Sequence, residues 1–314
     1  MLEIIKDIKV DLFMGEKLRL SIIIPTINRY EDLENTIKDL LVQSHQLFEI
    51  IIVDQTDATQ SKNFEHLDNR IIHIMADIKS ASAARNIGIK LAKGEILLFL
   101  DDDVIIDNQT FLKAHLKAYQ DIEIPGVAGG VLEERVQQKV RYDRHKWSYQ
   151  EETGWLFFPQ NYGEPAKIAT GRSCNLSVRK SIAIEVGGMD ENYSKGANRE
   201  EADFCMRVYK KYGCFLFSPE AQLRHIGNAT GGIRSWTKQA RITKAQHHYD
   251  GSLYFLFKNV KLRHYPKHLV SIFMFFFFNK ELLKRPHLLL QSFWRMMVGS
   301  YNALTMLKHP KYLE

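Results

Sequence analysis

The chain of 314 residues has little cysteine, and this scarcity narrows the classes of protein to which it can belong. Its three cysteines, Cys174, Cys205 and Cys214, are an odd number, and no pair has the spacing of zinc ligands. Free thiols in a reducing compartment are therefore favoured over a disulfide framework or a zinc site. Apolar residues make up 45% of the chain and charged residues 25%, which argues for a globular protein and against disorder.

Export and membrane-spanning signals are also missing from the sequence. Charged residues interrupt every apolar stretch near the N-terminus that could form the core of a signal peptide, so a cytoplasmic location is expected. The most apolar run, Leu269–Phe278, has ten residues, and a membrane-spanning helix needs roughly twenty. The next run, Leu288–Val298, contains Gln291 and Arg295. Neither run is therefore expected to cross a membrane alone.

The whole chain has a formal net charge of +6, and acidic residues are scarce in its C-terminal part. From Leu253 onwards the acidic residues are Glu281 and Glu314. The basic residues outnumber them: Lys258, Lys261, Arg263, Lys267, Lys280, Lys284, Arg285, Arg295, Lys308 and Lys311. Basic residues beside aromatic apolar runs are typical of helices that lie in a membrane interface. The alternative is a pair of helices packed on the rest of the protein. No nucleic-acid-binding module is recognised, so nucleic acid is not an expected partner.

Strand and helix patterns alternate through the first half of the chain. Apolar, β-branched runs predict buried strands, and helices are predicted between them, one beginning at a capping box formed by Asn28 and Glu31 and one over Ser80–Lys93. The predicted strands are Leu20–Pro25, Glu49–Asp54, Arg70–Met75 and Ile96–Leu100. This alternation predicts an α/β fold with a mixed, mostly parallel sheet flanked by helices.

The alternation breaks down after about residue 125. A strand is predicted at Val127–Val131, a helix at Glu200–Tyr212 and a short strand at Phe215–Phe217. Residues 135–170 are rich in Arg, Tyr and Trp and are typical of a substrate-binding insertion. The predicted organisation is an N-terminal extension (1–19), a nucleotide-binding α/β domain (20–235) and a C-terminal amphipathic helical region (236–314).

The strongest chemical signal is the acidic run Asp101–Asp103, which directly follows a buried strand. In parallel sheets ligands bind beyond the carboxyl ends of the strands, and three adjacent carboxylates repel one another unless a cation lies among them. A divalent cation there could bridge a diphosphate. The alternative is an acidic turn that caps the next helix.

Three further motifs carry candidate functional residues. Arg85 in ARNIG could bind a phosphate or a base edge, although a solvated or salt-bridged arginine is an equal alternative. The helix that begins REEAD could supply a general base, and its acids could equally complement the helix dipole. His225, beside a glycine-rich segment, is a plausible metal ligand in company with the aspartates.

Eight motifs in this order resemble those of family 2 glycosyltransferases with the GT-A fold: SIIIPTINR, IIVDQTD, AARNIG, LFLDDDV, GRSCNLSVRK, GGMDE, REEADFCMR and LRHIG. The resemblance covers about Leu20–Gly232 and implies a metal-dependent enzyme that uses a nucleotide-sugar donor. The C-terminal region is similar to the tails of bacterial members that build surface polysaccharides on the inner face of the cell membrane.

The resemblance also implies residue roles. Glu201 stands at the position of the catalytic base, and Asp103 and His225 match ligands of Mg²⁺ or Mn²⁺. The remaining matches would bind the nucleotide sugar: Pro25, Thr26, Asn28, Arg29, Asp54, Asp57, Arg85, Asp101, Asp102, Gly171, Asn175 and Glu200.

The sequence departs from the family pattern at two places. Glu200-Glu201 stands where Glu-Asp is usual, which leaves Asp203 as an alternative base, and the second strand ends in DQTD, which leaves the nucleotide base open. The expected reaction is a single displacement that inverts the anomeric carbon and glycosylates a glycan or lipid-linked acceptor. Two alternatives are a non-catalytic sugar-nucleotide-binding scaffold on the membrane and a nucleotidyltransferase. The glycine-rich loop of nucleotidyltransferases is missing from PTINRYED.

Overall fold

A computed structural model describes most of the chain. The described residues are 19–133, 148–150, 155–158, 160–195, 198–227, 244–278, 282 and 284–313. The predicted N-terminal extension and the predicted boundary between 235 and 236 therefore lie outside the described residues, apart from Arg19.

One half of the main sheet is parallel, as the sequence predicts. It contains β1 (Leu20–Thr26), β2 (Phe48–Asp54), β3 (Ile71–Met75) and β4 (Ile96–Leu100), in the spatial order β3-β2-β1-β4. Strands β1, β2 and β4 are buried on both faces, which explains their continuous apolar composition. Their carboxyl ends share one edge of the sheet.

Helices cover this half of the sheet. Helix α1 (Tyr30–Leu41) buries Leu33, Ile37 and Leu40 on one face, and helix α2 (Ala81–Leu91) begins at the N-cap Ser80, whose side chain accepts a hydrogen bond from the Ala83 amide. The predicted capping box was wrong. Arg29 is the N-cap of α1 and makes no capping bond, because Asn28 adopts a left-handed conformation (φ 54°) that turns the chain before the helix.

The other half of the sheet is mixed. After the two-residue β5 (Val104–Ile105) and α3 (Phe111–Lys117), the chain adds β6, β9, β10 and β11, and the order continues β4-β10-β6-β11-β5 with β9 beside β11. Strand β10 is antiparallel to both of its neighbours, whereas β6 and β11 are parallel. The bounds are Gly126–Glu133 for β6, Ala166–Ile168 for β9, Asn175–Arg179 for β10 and Phe215–His225 for β11.

The structure extends the short strand that the sequence predicted at Phe215–Phe217. Strand β11 continues to His225 after a register shift between Ser218 and Leu223, a stretch that contains Pro219. Within the segment expected to be irregular, Ser148–Gln150 (β7) and Trp155–Phe157 (β8) form an antiparallel pair outside the main sheet. Two helices complete this half: α4 (Lys180–Glu185) and α5 (Glu200–Tyr212), the latter as predicted.

In the described part of the C-terminal region the α-helices are α6 (Gln246–Asn259), α7 (Tyr265–Phe277) and α8 (His287–Lys308). They share a core with α5, in which Ala202 and Met206 are buried together with Tyr249, Phe255 and other residues of α6 to α8. Beyond α8 the chain returns to the α/β unit, where the Leu313 amide donates to the Gly187 carbonyl at 2.8 Å. Among the described residues, no helix is both long and apolar enough to cross a membrane.

Candidate active site

The acidic run Asp101–Asp103 leaves β4 at the carboxyl edge of the sheet and is held by two arginines. Arg29 Nη1 lies 2.9 Å from Asp102 Oδ1 and 2.8 Å from Asp103 Oδ2, and Arg85 Nη2 lies 3.1 Å from Asp101 Oδ1. The acidic run alone predicts a bound cation among these acids, and the folded chain supplies guanidinium groups as well. Three adjacent carboxylates are therefore stable at this edge before any ligand binds.

Asp102 lies behind the edge rather than on it. Its carboxylate is buried and accepts a hydrogen bond from Thr26 Oγ1 at 2.7 Å, and its backbone carbonyl accepts from Thr36 Oγ1 at 3.0 Å. Burial raises the pKa of Asp102 to about 7, against the influence of Arg29, and the neighbouring Asp103 adds to the rise. Asp102 thus fixes β1 and α1 against β4, and Asp101 keeps the more exposed carboxylate.

Asp101, Asp103 and His225 form a group of side chains that could hold a metal ion. One ligand atom from each lies within 4.8 Å of the others, and His225 Nε2 lies 3.3 Å from Asp103 Oδ1 and 3.9 Å from Asp101 Oδ2. The antiparallel pairing of β11 with β5 sets His225 opposite Val104, directly after the aspartates. Two carboxylate oxygens and one imidazole nitrogen are a suitable donor set for a divalent cation, so the residues fit the predicted metal.

The second ring nitrogen of His225 contacts a residue that the sequence analysis missed. His225 Nδ1 lies 3.0 Å from Glu133 Oε2, and Glu133 also pairs with Arg172. Burial would lower the pKa of His225, but hydrogen bonds to Asp103 and Glu133 raise it to about 10. The hydrogen bond from His225, with the nearby Arg172, lowers the pKa of Glu133 to about 2. The site thus favours a positive charge at this position.

Helix α5 carries the predicted general base to the same edge. Glu200 Oε1 lies 2.8 Å from Arg85 Nη1, and Ser82 Oγ donates to Glu200 Oε2 at 3.2 Å, so both oxygens of Glu200 are engaged. Glu201, the next residue, is half-buried, and none of the described residues forms an ion pair with it. Arg85 therefore joins Asp101, directly after β4, to Glu200 in the first turn of α5.

The backbone before α5 holds a strained conformation. Arg199, the N-cap residue, has φ 79° and ψ 12°, a left-handed conformation that costs a residue other than glycine on the order of 1 kcal/mol or more. Its guanidinium lies over the Phe255 ring of α6, 5.3 Å from the centroid. Burial lowers the pKa of Arg199 to about 10. Such strain directly before Glu200 and Glu201 is typical of a functional segment.

Asp54 lies at the end of β2 and is fully buried. Its Oδ2 accepts from Tyr30 at 2.7 Å and lies 3.2 Å from His73 Nε2, and its Oδ1 accepts from the Thr56 amide at 2.8 Å. Burial would raise the pKa of Asp54, but the hydrogen bonds from His73, Thr56 and Tyr30 lower it overall. Asp54, which the resemblance places among the residues that bind the nucleotide sugar, is therefore a carboxylate whose two oxygens are already engaged by protein groups.

The other residues predicted from the first two strands line the same edge. Pro25 and Thr26 end β1, and Asn28 is exposed in the turn that follows. Asp57 lies further out, where its exposed side chain accepts from the Thr59 amide and caps the short 3₁₀ helix Ala58–Gln60. The structure therefore separates Asp57 from the buried Asp54, although both belong to the same motif.

Three predicted residues have a different environment from the one expected. Asn175 was predicted to line the sugar pocket, but it is fully buried, donates to the carbonyls of Gly130 and Ala221, and lies 2.8 Å from His115 Nε2, so it joins strands instead. Gly171 is buried as well, and a Cβ there would approach Ala128 Cβ to 2.6 Å, so it permits close packing.

Asp203, the alternative base, is the third. It is fully buried and pairs with Arg207 on its own helix and with Lys258 of α6. Its carboxylate is therefore neutralised inside the protein, away from the Asp101–Asp103 edge.

Sequence reasoning also missed Arg172, Tyr30 and His73. Arg172 belongs to the quoted motif GRSCN, and Tyr30 follows Arg29 directly, so motif context could have identified both. Glu133 and His73 carry no such signal. The register of β6 and β11 brings Glu133 to His225, and His73 reaches Asp54 because β3 lies beside β2.

Comparison with known proteins gives the class of this site. The model of glycosyl transferase family 2 matches residues 21–187, just over half of the chain, and the chain belongs to this family. A glucosyl-dolichyl phosphate glucuronosyltransferase of Haloferax volcanii is 23% identical over 224 residues, which cover 66% of this chain and 69% of that protein. A UDP-Glc:α-D-GlcNAc-diphosphoundecaprenol β-1,3-glucosyltransferase of Escherichia coli is 34% identical over 93 residues, 28% of this chain and 37% of that one. The chain spans about a third of several curated relatives.

Solved structures confirm the GT-A fold. TarS residues 1–349 of S. aureus superpose with a TM-score of 0.59 at 17% identity, covering 91% of this chain and 81% of that one. The mannosyltransferase PcManGT of Pyrobaculum calidifontis, solved with GDP-Man and Mn²⁺, gives a TM-score of 0.53 at 12% identity, with coverage of 98% and 83%. The predicted family, its glycosyl-transfer class and the mixed sheet are thereby confirmed, and the family match disfavours a nucleotidyltransferase.

Proposed function

We propose that the protein transfers a sugar from a nucleoside-diphosphate donor to a hydroxyl of a glycan or lipid-linked acceptor, with inversion at the anomeric carbon, in the synthesis of a surface polysaccharide. One observation carries this proposal. Arg85 binds Asp101 on one side and Glu200 on the other, so a cluster of metal ligands and a half-exposed carboxylate, Glu201, flank the same arginine.

The donor side of this proposal rests on Asp101, Asp103 and His225, which would hold Mg²⁺ or Mn²⁺. A divalent cation bound there would stabilise the charge that grows on the diphosphate leaving group. Arg29 holds Asp103 through an ion pair of 2.8 Å, and the buried Arg85 adds a positive charge beside Asp101 that would stabilise a bound diphosphate. The GDP-Man and Mn²⁺ bound by the fold relative PcManGT support a nucleotide sugar and a metal.

The acceptor side rests on Glu201. An acceptor hydroxyl loses its proton as it attacks, and a positioned carboxylate contributes about 10²–10⁴-fold to the rate by taking that proton. Glu200 is bound to Arg85 and Ser82, and Asp203 is buried among cations, so Glu201 is the carboxylate suited to this role. Direct attack on the face opposite the leaving group forms the new glycosidic bond, releases the nucleoside diphosphate and inverts the anomeric carbon.

A membrane-bound acceptor is supported by the apolar surface of the C-terminal region. Helices α7 and α8 leave large side chains exposed, among them Val270 (62%), Trp294 (65%), Met297 (66%) and Tyr301 (73%). The exposed Lys261, Arg263 and Lys267 precede or begin α7, and Lys284 and Arg285 precede α8. Apolar side chains beside lysine and arginine suit an anionic lipid surface. Two relatives act, by their names, on dolichyl or undecaprenol carriers.

A donor screen tests the enzymatic proposal. UDP-, GDP- and dTDP-sugars are incubated with the purified protein, and nucleotide release is followed with Mn²⁺, with Mg²⁺ and with EDTA. Release from one donor that needs the metal and is lost in Asp103→Ala is the expected result. Metal-dependent binding of a donor without release directs the search to acceptor lipids. If neither binding nor release depends on a metal, the metal-dependent reaction is wrong and a scaffold role is favoured.

Co-flotation with lipid vesicles tests the surface. The protein is expected to float with vesicles that contain anionic phospholipid, and the double variant Trp294→Ser, Met297→Ser is expected to lose most of this binding. Ile122→Ser is the matched control, since Ile122 is 70% exposed but belongs to the α/β unit. Equal flotation of all three proteins would contradict a lipid-binding role of α8.

A further inference from the structure

Glu133 lies at the end of β6 and its carboxylate faces the imidazole of His225. The parallel register of β6 and β11 makes Glu133 and His225 cross-strand partners, so the backbone itself places the two side chains beside one another. Glu133 Oε2 lies 3.0 Å from His225 Nδ1. The other ring nitrogen, Nε2, lies 3.3 Å from Asp103 Oδ1, on the side of the metal ligands.

This geometry divides the two ring nitrogens between two tasks. An imidazole that binds a metal through Nε2 must carry its proton on Nδ1, and a carboxylate at Nδ1 stabilises that tautomer and orients the ring. Arg172 in turn pairs with Glu133 Oε1, so the carboxylate is fixed from its other side. Asp103, His225, Glu133 and Arg172 thus form a continuous chain of contacts from the cluster to the GRSCN loop.

We propose that Glu133 is a positioning residue for the metal centre, which fixes the tautomer and orientation of His225 without touching the cation or the substrate. This inference rests on the metal site of the proposed function. It assigns Glu133 no step in the reaction, and its effect is therefore expected in metal affinity and in the state of the His225 ring.

Titration of the full chain with Mn²⁺ alone, with free Mn²⁺ measured by electron paramagnetic resonance, tests this role. Glu133→Gln is expected to weaken Mn²⁺ binding about 10- to 100-fold, the usual effect of removing a partner of a metal-bound histidine. Glu133→Asp keeps the charge and is expected to retain an intermediate affinity. Glu220→Gln is the matched control, because Glu220 lies on β11, the strand of His225, but pairs with Lys117 at the surface, and this variant is expected to bind Mn²⁺ like the wild type.

Histidine ¹⁵N spectra with Mg²⁺ add a readout that a purely structural role would not change. In the wild type, His225 is expected to carry its proton on Nδ1, and in Glu133→Gln this tautomer is expected to be lost or mixed. Wild-type affinity and an unchanged tautomer in Glu133→Gln would overturn the role of Glu133 while leaving the metal site intact. If the wild type binds no Mn²⁺, or if Asp103→Asn binds Mn²⁺ as tightly as the wild type, the metal site itself is overturned, and the role of Glu133 with it.

Discussion

Two groups of carboxylates in this protein consist of similar residues but differ in their exposure and in their role. At the edge of the sheet, Asp101–Asp103 meets Arg29 and Arg85, and Asp101 keeps a third of its side chain exposed. Beneath α6, Asp190 and Asp203 are fully buried and bind Lys258 at 2.7 and 2.8 Å. The first group remains open to a ligand, whereas the second joins the C-terminal helices to the α/β unit.

Helix α5 carries one carboxylate towards each of these groups. Successive residues of an α-helix are about 100° apart, so Asp203 projects about 200° away from Glu201. Glu201 therefore lies at the carboxyl edge, while Asp203 faces α6 and accepts hydrogen bonds from Lys258 and Asn259. One helix thus carries the proposed base on one side and a structural ion pair on the other.

The largest effect is expected for Glu201→Gln, the variant of the proposed base. The amide cannot accept the acceptor proton, so turnover is expected to fall by about 10²–10⁴-fold while the Kd of the donor stays within a few-fold of the wild type. Transfer to the acceptor and donor binding by calorimetry are the two measurements. Turnover within about threefold of the wild type would refute the assignment of the base.

Lys258→Met tests the buried group, Asp190 and Asp203. It leaves Asp190 and Asp203 buried with less compensation, and breaking a buried pair from one side costs about 3–5 kcal/mol. Denaturant unfolding is expected to show this loss, while the folded protein keeps its affinity for Mn²⁺. Lys90→Met, at an exposed lysine at the end of α2, is the control and is expected to stay within about 0.5 kcal/mol. If Lys258→Met were as stable as that control, the ion pairs would have no role in joining the two parts.

Asp103→Asn tests the group at the sheet edge, Asp101–Asp103, where metal affinity rather than stability is expected to change. It removes a predicted ligand from among crowded acids, so Mn²⁺ affinity is expected to drop at least 10-fold while the Tm changes little. Asp77→Asn, at an exposed aspartate, serves as the control for a lost charge. A large fall in Tm with unchanged metal affinity would reverse the distinction between the two groups.

The smallest effect is expected for His115, which is buried against β10. Burial lowers the pKa of His115 to about 4, and this ring binds Asn175 and Ser177. The unfolded chain takes up the proton near pH 6.5, so stability is present above that pH and is lost as the pH falls towards 4.

Between pH 7 and 5 the wild type should therefore lose about 2 kcal/mol more than His115→Asn, as measured by urea unfolding. Equal slopes would show that the ring is accessible to water, and that Asn175 could face a ligand after all.

The sequence predicted those parts of the fold and site that depend on local patterns. Buried strands are continuous apolar runs, so β1, β2 and β4 and the position of Asp101–Asp103 at their edge followed directly. Helix α5 was predicted with its observed bounds, because its apolar residues recur at helical spacing.

Contacts between distant segments could not be predicted in this way. The pairing of Glu133 with His225 depends on the register of two strands that are far apart in the chain, and the burial of Asn175 depends on α3 covering β10. Lys258 was counted with the basic residues of a membrane surface, but its charge is directed inwards to Asp190 and Asp203. A lysine in the sequence does not show whether its side chain will reach the surface or a buried partner, because the fold decides this.

A crystal structure with Mn²⁺ and a nucleoside diphosphate, with the manganese located by anomalous scattering, tests the central claim most directly. We expect one strong peak within coordinating distance of Asp103 and His225, with the diphosphate beside Arg85 and the Glu201 carboxylate facing the sugar position. A manganese peak away from these residues, or a nucleotide bound with no manganese at this edge, would contradict it.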